Sequence, residues 1–552
     1  MTHRFAHYVL LVLVLALVAL PNLGSMALWD MDEGVNAECG REMLETGTWI
    51  VPTFNYELRT AKPVMLYWLQ RFSFQAFGVN EWAARFPSVL LSLGTLLLVY
   101  ELGRGMFGAR AGLLAGVALA SSVEFVKLTR AATPDAAFIF FSTLTLAAFW
   151  FGSRNGSRRW FVPTAMAAAL AVLTKGPAGL ALPGLVIVLY LAWNRELKRL
   201  LDWRLAWAFW AFVLVAAPWY ALVATETRGA YLRAFIGHEN VNRFLAPMES
   251  HRGPFYYYVI AVILFFAPWS AVIAATIINA IRCAQRPRMA TDGLSESTRA
   301  NRFLLVWIAS YLVFFSFAAT KLPNYIAPLY PALALLTADF LVRWASRELS
   351  AARWVMPAAI AGLFLTGVVV SAGFLISSGT VAVNFKGLRI MPDLAPWAAL
   401  GLIPIAGGIA TILLVKRNQH ERVPLAWGVM AVIFIGLLAA FPTMVVDAAK
   451  GPKALVQLSG AHQPERDIRL ASLEYTQESV TFYAERKVAR LYTAEAAAVF
   501  LAMPRPSYLF VPAKVWDERI AAAAGPHRIA ARCYDFNRNA DILVVTNDGV
   551  NP

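Results

Sequence analysis

The chain has 552 residues, of which 59% are hydrophobic and only 15% charged, with 18 Trp and 35 Phe. That balance excludes an ordinary soluble enzyme and puts the chain among membrane proteins. The net charge of +15 does not argue for nucleic acid, because the basic residues lie in short loops between apolar runs, where they set topology and suit anionic headgroups.

Apolar runs long enough to cross about 30 Å of hydrocarbon fall at 6–24, 85–104, 111–130, 135–152, 160–176, 177–193, 205–224, 255–281, 303–320, 324–342, 354–377, 395–415 and 425–446. The pattern predicts a polytopic α-helical membrane protein with about 13 transmembrane helices. An alternative for residues 5–22 is a signal peptide ending near "GSMA", which would not change the facing of anything downstream.

Alternate loops are basic: Arg104 and Arg110, then Arg154, Arg158 and Arg159, then Arg195, Lys198, Arg199 and Arg204. The same loop parity holds Arg282 to Arg302, Arg343 to Arg353, and Lys416 to Arg422. By the positive-inside rule this face is cytoplasmic, as is the N-terminus, and an odd number of spans sends the C-terminus outside. A transmembrane domain over residues 1–446 is expected, followed by a small α/β domain outside the membrane over 447–552. In that tail "SYLFVPA" and "DILVVTN" read as strands and "VWDERIAAAA" as helical, with no phosphate loop or metal signature.

Two outer loops are long, 25–84 and 225–254. In the first, Met65, Leu66, Trp68, Leu69, Phe72 and Phe77 interleave with Lys62, Gln70, Arg71 and Gln75, a pattern for amphipathic helices lying in the membrane interface. Most of the unusual polar residues fall on this outer side. Asp32, Glu33, Arg59 and Lys62 come from the first loop and Arg85 from its junction with the next span, and Arg130 and Asp135 flank "AATP". Lys175 sits in "TKGP", His238, Glu239 and His251 in the second loop, and Lys321 and Tyr325 in "TKLPNY". Ionisable residues near membrane depth are costly and mark function. Separated Lys and Arg suit phosphate groups, and two distant carboxylates suit orienting a sugar, taking a proton or holding a cation. Transfer of a group from a lipid phosphate, with the phosphate leaving, fits this mixture. The bland readings are loop solvation for Asp32 and Glu33, a helix-start charge for Asp135, a snorkelling Lys62, and headgroup anchoring for Arg59 and Arg85.

The segments "WDMDEGVNAECGREMLETGTW", "AKPVMLYWLQ", "RAATPDAAF", "LTKGPAGLALP" and "ATKLPNYIAPLYP", in this order, resemble the bacterial aminoarabinose transferases of lipid A. These are membrane glycosyltransferases of the GT-C fold, alongside the protein O-mannosyltransferases. The resemblance implies transfer of 4-amino-4-deoxy-L-arabinose from undecaprenyl phosphate to lipid A phosphates at the periplasmic face of the inner membrane, which confers polymyxin resistance. It implies catalytic roles for Asp32, its neighbour Glu33, and Asp135. Lys62 matches the donor-phosphate lysine, with Arg59, Arg85, Lys175, Lys321 and Tyr325 as further substrate-binding candidates.

His238, Glu239 and His251 offer ligand types for a divalent metal such as zinc, although their spacing fits no recognised metal motif. Two rival functions share parts of the pattern. A protein O-mannosyltransferase-like enzyme would use the same fold and a polyprenyl-phosphate donor. A lipid-linked sugar transporter or flippase would place its charges near the midplane in broken helices, whereas here they cluster in outer loops.

Overall fold

The computed structural model describes residues 2–154, 160–242, 253–286, 295–349, 352–383, 387–463 and 465–549. Among these, eight helices are long and apolar enough to cross a membrane, two further bent pairs pass the same test, and three shorter apolar helices accompany them. The chain is a multi-pass membrane protein with a polytopic α-helical fold.

The first half runs α1 (Thr2–Ala19), α2 (Asp32–Glu45), a hairpin of β1 (Thr53–Phe54) and β2 (Glu57–Leu58), α3 (Met65–Phe77) and α4 (Glu81–Phe107). It continues with α5 (Ala109–Ala120), α6 (Val123–Thr129), α7 (Asp135–Arg154), α8 (Phe161–Lys175), α9 (Ala178–Trp193) and α10 (Leu205–Glu226). The apolar run 111–130, expected as one span, is α5 and α6 bent by 68°. At the break the Ser121 and Ser122 hydroxyls donate to the carbonyls of Val117 and Leu119. Such back-bonding competes with the helix ladder. The run 255–281 is also bent, by 115°, between Tyr257–Phe265 and Trp269–Ala284. Pro268 sits in this break, where its ring removes a donor and disfavours helix before it. The runs 160–176 and 177–193 form two helices despite the short "TKGPAG" between them. Gly176 has φ +68° there, a left-handed conformation that ends α8 just after Lys175.

The interfacial segment turns two of its aromatic rings outward and its polar stripe inward. Gln70 and Arg71 of α3 are buried, while Phe72 and Phe77 point outward. Arg71 donates to the carbonyls of Met43 and Thr48, and Gln70 to that of Ala84. The polar stripe thus ties α3 to the ends of neighbouring helices and leaves Phe72 and Phe77 outside, while Tyr67 and Phe74 are buried.

The C-terminal segment holds a five-stranded sheet of β3 (Arg469–Leu473), β4 (Val488–Leu491), β5 (Ser507–Pro512), β6 (Arg528–Asp535) and β7 (Ala540–Thr546), in the order β4-β3-β5-β7-β6. β3 is parallel to β4 and β5, and β7 is antiparallel to β5 and β6. Helices cover both faces, so the inner strands read as near-continuous apolar runs.

This sheet domain sits on the segment between α1 and α4 through specific bonds. The Asp30 carboxylate accepts from the Ser479 backbone N–H at 2.6 Å and its hydroxyl at 2.8 Å. The Asn55 side chain imitates a neighbouring strand at β4, donating to the Val488 carbonyl and accepting from its N–H, both at 2.9 Å. Lys453 pairs with Glu81 at 2.5 Å, and the Leu28 N–H donates to the Tyr483 hydroxyl at 2.7 Å. Gly34 of α2 lies so close that a Cβ there would meet the Ser479 nitrogen at 2.7 Å.

Candidate active site

α2 begins with Asp32 exposed in its first turn and Glu33 buried. Glu33 makes a two-pronged ion pair with Arg85 of α4, at 2.9 Å and 2.7 Å. Its oxygens also accept the backbone N–H groups of Trp29 and Ala132. Burial pushes the Glu33 carboxyl up, but the guanidinium and the two N–H groups outweigh it and hold it below its ordinary value. Arg85 gives its remaining donors to the carbonyls of Leu23, Met26 and Ala27. All five of its N–H groups are therefore used inside the protein. Glu33 and Arg85, expected at the substrate, instead clamp the segment that follows α1 and the first turn of α2 to α4.

That clamp sets the position of the next carboxylate. Asn36 donates to the Ala132 carbonyl while Glu33 accepts from the Ala132 N–H, so α2 is stitched to the turn that starts α7. Three residues later Asp135 opens α7, buried, with Lys175 Nζ at 2.5 Å and Asn324 Nδ2 at 3.0 Å from the same carboxylate oxygen. Lys175 ends α8, and its ammonium lies 5.4 Å from the Phe138 ring centroid and 5.8 Å from that of Tyr325. The charge of Lys62 also acts on Asp135. Lys62 is partly buried, and its carbonyl accepts from the Tyr231 hydroxyl at 2.8 Å. The motifs around "AKPV", "ATPD", "TKGP" and "LPNY" thus converge on one carboxylate.

Arg59 approaches from the same loop. Its Nε is buried without a hydrogen-bond partner among the described residues, and the charged form feels Tyr67, Cys39 and Glu239. An apolar floor underlies these groups, built from Val64, Tyr67, Phe138, Trp219, Tyr231 and Phe235.

Lys321 is also placed otherwise than expected. It is buried, and its ammonium donates to the carbonyls of Phe315, Ser316 and Ala318 at 3.4, 2.7 and 2.9 Å. It closes the end of helix Glu296–Phe317, where a cation complements the orphan carbonyls. Burial pulls its ammonium below its ordinary value.

The expected metal ligands do not assemble. His238 Nδ1 and Glu239 Oε1 are 3.2 Å apart, but the His238 side chain is 60% exposed. His251 lies outside the described residues. Among the described residues no group of three or more His, Cys, Asp or Glu could hold an ion. Among the described residues, none form a set that fits a zinc ion.

Two residues outside the expected set belong to the constellation. Asn324 is a ligand of Asp135, and its place in "KLPNY" was the signal for it. Glu124 of α6 is fully buried, pairs with Lys127 at 2.8 Å and feels Asp135 and Lys175. A lone carboxylate in the apolar run "SSVEFVKLT" was the available sign.

Residues 61–221 match the family model described as dolichyl-phosphate-mannose-protein mannosyltransferase. An undecaprenyl phosphate-alpha-4-amino-4-deoxy-L-arabinose arabinosyl transferase of Edwardsiella ictaluri is 28% identical, with 82% of this chain and 80% of that protein aligned. A protein of the same description from Pseudomonas aeruginosa is 32% identical over 60% of this chain and 59% of its own. Among solved structures, ArnT of Cupriavidus metallidurans bound to undecaprenyl phosphate superposes with a TM-score of 0.80 at 24% identity, covering 99% of both chains. The Archaeoglobus fulgidus oligosaccharyltransferase AglB has the same architecture more distantly, with a TM-score of 0.51 at 13% identity over 93% of this chain and 69% of that one.

Proposed function

We propose that the chain is an aminoarabinose transferase of the GT-C membrane glycosyltransferases, moving 4-amino-4-deoxy-L-arabinose from undecaprenyl phosphate to lipid A phosphates, a reading supported by its similarity to transferases of that description and to the ArnT fold. The observation that carries this reading is the convergence of Lys62, Lys175 and Asn324 on Asp135. It gathers cations suited to a lipid phosphate around one buried carboxylate that fixes their positions. We place the site on the periplasmic face of the inner membrane. The basic loops at the opposite ends of the helices support that facing.

In the reaction an acceptor phosphate oxygen attacks the anomeric carbon as the bond to undecaprenyl phosphate breaks, with inversion. The acceptor phosphate is already ionised near neutral pH, since its second pKa is about 6. No proton need be removed from it, so a strong general base is not required. Charge grows instead on the departing phosphate. Lys62, with Arg59 beside the same floor, stabilises it there. Asp135 is occupied by Lys175 and Asn324, which makes it a group that orients those two residues. Asp32, exposed at the mouth of α2, holds the ammonium of the sugar.

The test is mass spectrometry of lipid A from cells with and without the protein, repeated with Asp32→Ala. Lipid A should gain amino-pentose only with the wild-type chain. Unchanged lipid A, with sugar appearing on protein, would support the mannosyltransferase-like reading. Sugar crossing the membrane without transfer would support a flippase.

A further inference from the structure

We propose that the chain carries a second lipid site, for one anionic phospholipid, in the membrane half opposite the Asp135 end of α7. α7 rises about 1.5 Å per residue, so Thr145 is about 15 Å and Ser153 about 27 Å along the helix from Asp135. A cavity of about 870 Å³ starts at Thr145 and extends to Ser153, lined by the far halves of α7 and α8, most of the length of α9 and the start of α10. Its volume is that of sites that enclose one ligand, about 300–1,000 Å³.

Its concavity is written in the sequence. α8 leaves room with Ala165 and Ala168, and α9 with Pro183 and Gly184, between the larger Phe161, Leu180 and Leu191 that also line it. A Cβ added at Gly184 would meet nothing within 4 Å. Phe149 and Ile187 make the rest of the wall apolar.

The rim has different chemistry. Lys198 and Arg199 line it from the turn Leu197–Leu201, with Asp202, Trp160 and Trp203. Arg199 is fixed by Glu196 at 3.0 Å and by the Ser153 carbonyl at 3.3 Å, so one cation has a set position. Lys198 is exposed. Tryptophans and cations at this level mark the headgroup zone. Acyl chain in the cavity and phosphate at the two cations match both parts, and this charge complementarity selects an anionic lipid over a neutral one. The site is separate from the lipid-phosphate site near Lys62, and its occupancy does not depend on the transfer reaction.

The test uses the full chain, delipidated in detergent, exchanged into nanodiscs of equal parts phosphatidylglycerol and phosphatidylethanolamine, then released for native mass spectrometry. The wild-type chain should retain one phosphatidylglycerol with about fivefold preference over phosphatidylethanolamine. Gly184→Phe, which fills open space, should cut retention about tenfold or more, with Gly184→Leu giving a smaller loss if the larger ring impairs folding. Lys198→Glu should abolish the headgroup preference while keeping a bound lipid. Equal retention by wild type and both Gly184 variants would mean annular lipid only and overturn the proposal. Retention without headgroup preference in the wild type, or retention of polyprenyl phosphate instead, would overturn it as well.

Discussion

With Lys175 and Asn324 on one of its oxygens, Asp135 holds two partners in place rather than waiting for a proton. Asp135→Asn removes the charge that compensates Lys175 and should lower the transfer rate about 100-fold, a loss typical of a displaced electrostatic group. Because no titrating base is lost, the pH dependence of the remaining activity should keep its shape. Disappearance of its acid limb would instead identify Asp135 as the base. Lys62→Met should lower the rate about 100- to 1,000-fold by leaving the departing phosphate unpaired, read as initial rate with purified donor. Glu33→Gln and Arg85→Leu act on the fold. Each leaves a buried charge or its partner unpaired and should destabilise by about 3–5 kcal/mol, seen as a lower unfolding temperature and a loss of monodisperse protein. Glu33→Gln that folded like wild type but failed in transfer would return Glu33 to the reacting centre.

α2 joins the membrane bundle to the C-terminal sheet domain, and its entry residue Asp30 makes that junction sensitive to pH. Burial pushes the Asp30 carboxyl up to about 7 from an ordinary 3.8, although the Ser479 bonds pull it down. The docked state therefore binds the proton more tightly than the undocked one. This contribution to docking is complete below the ordinary value, declines as pH rises from there to about 7, and is constant above. Asp30→Asn should flatten that decline, measured as hydrogen exchange of residues 479–484 at about pH 5 and about pH 8. At this scale some of the fold was hidden from sequence. The hairpin turn puts both Asn55 and Tyr56 at positive φ, and Tyr is not a residue that announces such a turn. The bends in 111–130 and 255–281 lie inside uniform apolar runs, where hydropathy reports length and not direction. The break after α8 was readable, since "TKGP" carries both a left-handed glycine and a proline.

Across the whole molecule, apolar length and basic loops were enough to read a multi-pass bundle, and the strand-like runs of the tail marked the segment that holds the five-stranded sheet. The candidate site was legible in part. Lys62, Asp135, Lys175 and Tyr325 were flagged as ionisable or polar residues beside helix-breaking Pro and Gly, and the fold brings their motifs together. Glu33, Arg85 and Lys321 carried the same signal but serve the scaffold, because sequence cannot tell a cation aimed at a ligand from one spent on backbone carbonyls. The most direct measurement is transfer by the purified chain in proteoliposomes, with undecaprenyl-phosphate-linked aminoarabinose as donor and lipid A as acceptor. Lipid A should gain the mass of one amino-pentose with the wild-type chain and not with Lys62→Met. Transfer undiminished in Lys62→Met, or no transfer by a wild-type chain that binds the donor, would contradict the account.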